Sequence, residues 1–237
     1  MNIGRRMIFR QFIDSASSTY TYLLASGYGR EAVIIDPVKE HLQQYLTVIG
    51  DLELKLVTAI DTHTHADHIT ALGGLRDAAG CTTVMGEHTK AECVSYRVKD
   101  GEALKTDGIV LHALFTPGHT NESFSFVLER QSVPAVFTGD VLLIRGSGRT
   151  DFQGGDPHAS WNSITTKLFV LPDETTVYPA HDYKGWTASS IGEERRHNPR
   201  LANKSESEYV DIMQSLILPN PKLMDVAVPA NLACGKG

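Results

Sequence analysis

Eight consecutive residues, Asp61-Thr62-His63-Thr64-His65-Ala66-Asp67-His68, carry three imidazoles and two carboxylates, a density that core packing does not explain. The apolar run from Leu54 to Ile60 before them reads as a buried strand, and Ile69 to Ala79 after them reads as a helix. The cluster therefore occupies the turn at a strand's carboxyl end, where α/β folds place their chemistry. Neutral imidazole and carboxylate together suit a first-row transition metal, and no softer ligand lies beside them. A polar surface loop is the bland alternative. Against it, isolated His and Asp residues recur downstream at strand ends, as a metal site assembled from distant loops requires.

Those recurrences come in order. Ile109 to Phe115 is an apolar strand running into Thr116-Pro117-Gly118-His119-Thr120, where a Pro-Gly turn aims the histidine. Val133 to Thr138 reads as a strand ending in Gly139-Asp140, and Thr176 to Tyr178 as one ending in Pro179-Ala180-His181-Asp182-Tyr183. Asp67 stands where it can cap the helix after the cluster, and a cap can also be a ligand or a base. His41 is expected on a helix surface, His88 in solvent at the start of a short helical segment, and His112 on a sheet face.

The rest of the chain supplies a scaffold. Met7 to Ile13, Tyr20 to Ala25 and Ala32 to Ile35 have the spacing of an antiparallel meander, and His41 to Ile49 that of a helix. Gly73-Gly74 suggests close packing or a bend, Gly80 ends that helix, and Thr82 to Met85 is a further strand. Arg145 to Phe152 is a Gly-rich loop with two arginines, lacking the order of a phosphate-binding loop and better suited to pinning an anionic substrate. Pro157 to Val170 and Ser205 to Leu218 read as helices, the second followed by a Pro-rich extended segment. No linker or fixed-spacing repeat divides the chain, so residues 1–237 are expected to form a single domain.

Net charge of −6 and the lack of a basic tract, Arg5 and Arg6 being too few, argue against a nucleic-acid partner. No apolar run reaches a membrane span, and Met1 to Phe12 lacks a signal peptide's apolar block, so a cytoplasmic protein with no membrane partner is expected. Cys81, Cys93 and Cys234 form no C-x-x-C pair or disulfide framework; Cys81 and Cys93 are expected to be reduced and structural.

Taken together, Thr62-His63-x-His65-x-Asp67-His68, Pro117-Gly118-His119-Thr120, Thr138-Gly139-Asp140 and Pro179-Ala180-His181 resemble the metallo-β-lactamase superfamily signature, in its order. The resemblance implies an α/β fold, an αββα sandwich of two mixed β-sheets flanked by helices, with the metal site at one edge. Two glutathione-handling families within it are close. Glyoxalase II-like hydrolases cleave thioesters with two metals; persulfide dioxygenases oxidise glutathione persulfide to sulfite and glutathione with iron(II) and O2. This chain is more similar to the second through Arg145-Gly146-x-Gly148-Arg149-Thr150-Asp151-Phe152, Glu193-Glu194-Arg195 to Asn198-Pro199-Arg200-Leu201, and Val228-Pro229-Ala230-Asn231. It also lacks a long C-terminal helical domain. Ser147 stands where some members have Cys and is assigned no role.

By that resemblance His63, His119 and Asp140 hold one Fe(2+) per chain, while His65, Asp67, His68 and His181 match second-metal ligands of the hydrolases. The same family implies that these four surround a second site that stays empty; Asp67, His68 and His181 are expected to take part in catalysis by orienting water, holding the metal ligands or moving protons during sulfite release. Arg149 and Tyr183 are expected to contact glutathione persulfide, with Arg195, Arg196 and Arg200 as weaker candidates. A homodimer is compatible with the sequence, as is an upstream sulfurtransferase or sulfide oxidoreductase. A binuclear thioester hydrolase and a non-enzymatic metal or sulfide carrier are the competing readings.

Overall fold

The computed structural model describes residues 7–129, 134–221 and 223–236. Arg5, Arg6 and Val133, which entered the reading above, lie outside them.

Six strands form the first sheet in chain order: β1 (Ile8–Asp14), β2 (Thr19–Ala25), β3 (Glu31–Ile35), β4 (Lys55–Ile60), β5 (Thr82–Gly86) and β6 (Tyr96–Val98). The first three pair antiparallel, as the meander spacing predicts, and β3 to β6 pair parallel. The second sheet holds β7 (Ala103–Thr106), β8 (Ile109–Phe115), β9 (Phe124–Leu128) and β10 (Ala135–Gly139). A small hairpin of β11 (Leu142–Leu143) and β12 (Gly146–Ser147) interrupts the Gly-rich loop, and β13 (Thr176–Pro179) and β14 (Ser189–Ser190) complete the sheet in the order β14-β13-β10-β9-β8-β7. Only β10 and β13 pair parallel there, so both sheets are mixed.

Side-chain alternation decides how the layers stack. On β2, Tyr20, Tyr22 and Leu24 point between the sheets, where they meet Val33, Ile60, Leu111, Phe124, Phe126 and Phe137. Leu23 and Ala25, one residue out of phase, pack against α1 (Leu42–Asp51) and α2 (Leu72–Ala79) through Tyr45, Ile49, Leu72 and Leu75. With both faces covered, every residue of β2 is buried. The second sheet turns Val136 and Val177 outward onto α3 (Pro157–Asn162) with its π-helical extension Ser163–Leu168, α4 (Ile191–His197) and α5 (Glu206–Gln214). Each Leu, Ile or Phe so enclosed contributes about 1.5–3 kcal/mol relative to exposure. The result is the αββα sandwich. Its strands deliver Asp36, Asp61, His119, Asp140 and His181 to one edge, where Phe124 N donates to Thr62 O (2.9 Å) and Tyr20 N to Ala180 O (2.7 Å), stitching the sheets together.

Several expectations require correction. Asp67 does not cap α2: that helix begins at Leu72, whose amide is met by Thr70 Oγ1, and Asp67 faces His181 instead. His88 is exposed but opens no helix; it lies against Phe115. α5 ends at Gln214, not Leu218, and its Ser205 N-cap forms a capping box with Glu208. The Pro-rich tail does not stay extended. It forms α6 (Met224–Leu232) despite Pro229, because Ala227 and Asn231, four residues apart, give it one face to bury. Gly73-Gly74 does mark close packing, since a Cβ on Gly73 would fall 2.5 Å from Cys234 O.

Cys93 is not reduced. It is disulfide-bonded to Cys234, 141 residues away, because α6 returns to the connection between β5 and β6; spacing along the chain could not show this. Cys81 remains a free, buried thiol whose pKa burial pushes up to about 11. A loop of 141 residues closed by a disulfide is worth about 3–5 kcal/mol by the chain-entropy argument. At about 2–4 °C per kcal/mol for a chain this long, dithiothreitol or Cys93→Ser is expected to lower Tm by about 6–20 °C. An unshifted calorimetric Tm would show that the reduced chain retains α6 equally well.

Candidate metal centre

The turns after β4, β8 and β10 converge. His63, His119 and Asp140 each offer a ligand atom, and these atoms lie within 4.8 Å of one another. Their outer hydrogen bonds settle the tautomers. Thr62 Oγ1 donates to Asp36 Oδ2 (3.1 Å), so it accepts from His63 Nδ1 (3.0 Å) and leaves Nε2 of that ring with its lone pair. His119 Nδ1 donates to the Arg149 carbonyl (2.8 Å), which can only accept, and this turns Nε2 of that ring toward the site, 3.6 Å from Asp140 Oδ2. Burial, then the neighbouring His65 and His119, push the His63 pKa well down, keeping it the neutral imidazole a metal needs. Two imidazoles and a carboxylate, each oriented by an outer partner, fit a divalent transition metal.

A second trio adjoins the first: His65, Asp67 and His68 also bring ligand atoms within 4.8 Å of one another. His65 Nε2 lies 3.2 Å from Asp36 Oδ1, while its Nδ1, like His68 Nε2, is buried with no hydrogen-bond partner among the described residues. His181 joins the trios, with Nδ1 2.7 Å from Asp140 Oδ1 and Nε2 2.8 Å from Asp67 Oδ2. Burial works against charge on His181, but Asp140 and Asp67 outweigh it and raise its pKa well above the ordinary value. The pairing is reciprocal: burial raises both carboxyls, and His181 more than offsets it, holding Asp67 and Asp140 below the carboxylate range.

Sequence reasoning identified these side chains but missed what holds them. Asp36, which follows the third strand, accepts from Thr62 N (2.8 Å), and its pKa is pushed up to about 6 by burial. Glu122 accepts from Thr64 N (2.6 Å), Gln153 Nε2 donates to Thr64 O (2.8 Å), and Thr19 Oγ1 lies 3.0–3.2 Å from Asp67, His68 and His181. These residues come from four other segments, so no local pattern marks them. The one available signal was a carboxylate directly after an apolar strand, as Asp36 is after Ile35.

The two substrate-contact candidates flank the centre differently. Arg149 lends its carbonyl to His119, but its guanidinium grips both oxygens of Asp151 (2.7 Å each) and Pro219 O (2.7 Å) over the Phe152 ring. Tyr183 is 73% exposed, its ring parallel to His181 with centroids 6.0 Å apart. Arg145 is committed to Glu193 and Glu194, Arg195 and Arg196 to Asp173, and Arg200 to Ser147 O, so the loop's first arginine and the three weaker candidates serve ion pairs and hydrogen bonds. His112 lies on the face of β8 beside Glu129, and His41 beside Asp14, as expected of non-ligands.

Residues 15–181 match the family model described as the metallo-beta-lactamase superfamily. The chain is 44% identical to the human persulfide dioxygenase ETHE1, mitochondrial, over 98% of its own length and 90% of that protein, and shows the same identity and coverage with the bovine protein of that name. It superposes on the crystal structure of ETHE1 from Myxococcus xanthus with a TM-score of 0.92 and 52% identity, covering 96% of this chain and 99% of that one.

Proposed function

This chain belongs to the metallo-β-lactamase superfamily and, within it, to the persulfide dioxygenases, and on that premise we propose that it oxidises glutathione persulfide to sulfite and glutathione at a single iron(II). The reaction consumes one O2 and one water per persulfide. The observation that carries the reading is the trio of His63, His119 and Asp140, with the Nδ1 of both histidines engaged by outer partners so that Nε2 faces the site. These three residues would hold the metal. Iron(II) held there would supply the redox chemistry that couples dioxygen to the persulfide sulfur, which zinc cannot.

The chain's own residues divide the remaining work. His181 bridges Asp140 Oδ1 and Asp67 Oδ2, so it orients the ligand carboxylate and carries a proton between the two sides. His68 Nε2, buried with no partner among the described residues, is the atom we assign to accept a proton from the substrate or from the incoming water. Because the centre draws on both sheets, we treat residues 1–237 as one domain.

Oxygen-electrode and metal measurements on anaerobically purified protein test the reading. One iron per chain and oxygen uptake matched by sulfite on adding glutathione persulfide are expected. Two zinc ions with turnover of S-lactoylglutathione in the absence of oxygen would replace it with thioester hydrolysis. Metal binding with neither activity would leave a carrier.

Arg149 and Tyr183 are assigned to glutathione, whose carboxylates a guanidinium can meet by exchanging its Asp151 partner. Arg149→Ala is expected to raise KM about tenfold with kcat little changed, as for a contact equally strong in ground and transition states. Unchanged values of both would remove Arg149 from the substrate site.

A further inference from the structure

The histidine loop is anchored at its two ends by different parts of the molecule. At the His63 end, Asp36 accepts from Thr62 N and Glu122 from Thr64 N. At the His68 end the anchor is Asn231 on α6, buried to 3% exposure. Its Nδ2 donates to His65 O and His68 O (2.9 Å each), and its Oδ1 accepts from Thr70 N (2.8 Å). Two carbonyls and one N–H facing one side chain admit only a group that donates twice and accepts once, which a primary amide does and a carboxylate does not. The two carbonyls it bridges bracket Ala66 and Asp67, so the amide spans the backbone that aims Asp67 and His68. α6 is itself fastened by the Cys93–Cys234 bridge, by Gly73 N to Cys234 O (2.9 Å) and by Lys39 Nζ to Gly235 O (2.7 Å).

We propose that Asn231 is a positioning residue for the proton-handling half of the centre, setting Asp67 and His68 against His181 while the metal trio is held independently. This rests on the function proposed above, in which Asp67, His68 and His181 move protons and His63, His119 and Asp140 bind metal. The separation of anchors makes the two roles separable by mutation.

The test uses the full chain with Asn231→Leu, which keeps the volume and removes every polar atom. Metal per chain is expected to equal wild type, KM to stay within about twofold, and kcat to fall about ten- to a hundredfold, the range for outer partners of a metal site. A readout independent of turnover is the ring N–H correlation spectrum of zinc-loaded protein. There the His65 and His68 signals are expected to shift or broaden while those of His63 and His119 stay in place. Unmoved His65 and His68 rings, or all four rings shifting alike with metal lost in proportion, would overturn the proposal. If wild type shows no oxygen uptake, the functional reading fails and the spectra alone decide the role of Asn231. Should Asn231→Leu not fold, Asn231→Ser, whose hydroxyl can serve Thr70 N but cannot span two carbonyls, is read the same way. Misfolding of both would make Asn231 a residue of general stability and overturn the proposal.

Discussion

Asp140→Ala is expected to purify folded, without its metal and without measurable oxygen uptake. Asp140 is the only carboxylate in the trio with His63 and His119, so its loss leaves two neutral imidazoles to hold a dication. Loss of an outer partner alone costs such a site about ten- to a hundredfold in affinity, and loss of the anionic ligand exceeds that. The fold survives because Asp140 follows β10 on a turn, and because His181, deprived of one anion, can shed its proton and remain paired with Asp67. Asp140→Asn separates the two duties: its carbonyl still receives His181 Nδ1 while the ligand charge is gone. Metal analysis after dialysis and a thermal melt check both, and iron equal to wild type in Asp140→Ala would strike this residue from the ligand set.

The second large effect comes from a residue with no side chain. Gly148→Ala is expected to lower kcat by about a hundredfold or more, since displacing reacting groups by as little as 1 Å costs that much. A Cβ at this position would overlap the Asp140 carbonyl oxygen and lie 2.9 Å from His119 Nδ1. Neither neighbour can yield cheaply: one is backbone beside a ligand, and the other is the nitrogen His119 uses to reach Arg149 O. The substitution would push apart two of the three residues proposed to bind the metal without replacing any polar side chain. Steady-state kinetics with metal content measured alongside would show it, and wild-type values of both would mean that the β12 connection relaxes to admit a methyl group.

Much of this protein is legible along the chain. Short apolar runs and a 3.6-residue hydrophobic period place β1 to β5, β8 and α1 within a residue or two, because a run of apolar side chains reports which element the core encloses. The chemistry is legible for a related reason. His63, His119, Asp140 and His181 each follow an apolar strand, and strand ends are where a sandwich exposes its loops to one another. Each therefore announces itself by polarity breaking off a buried run.

What the sequence alone determined, then, was the kind of site and the strands that carry it, through residue type and local order. The tertiary structure decided the pairings: His181 between Asp67 and Asp140, Cys93 to Cys234, α6 where an extended tail was expected, and Asn231 under the histidine loop. Partners 41 to 166 residues apart leave no periodic trace, because a hydrogen bond or a disulfide depends on distance in space, and the packing of whole layers sets that distance.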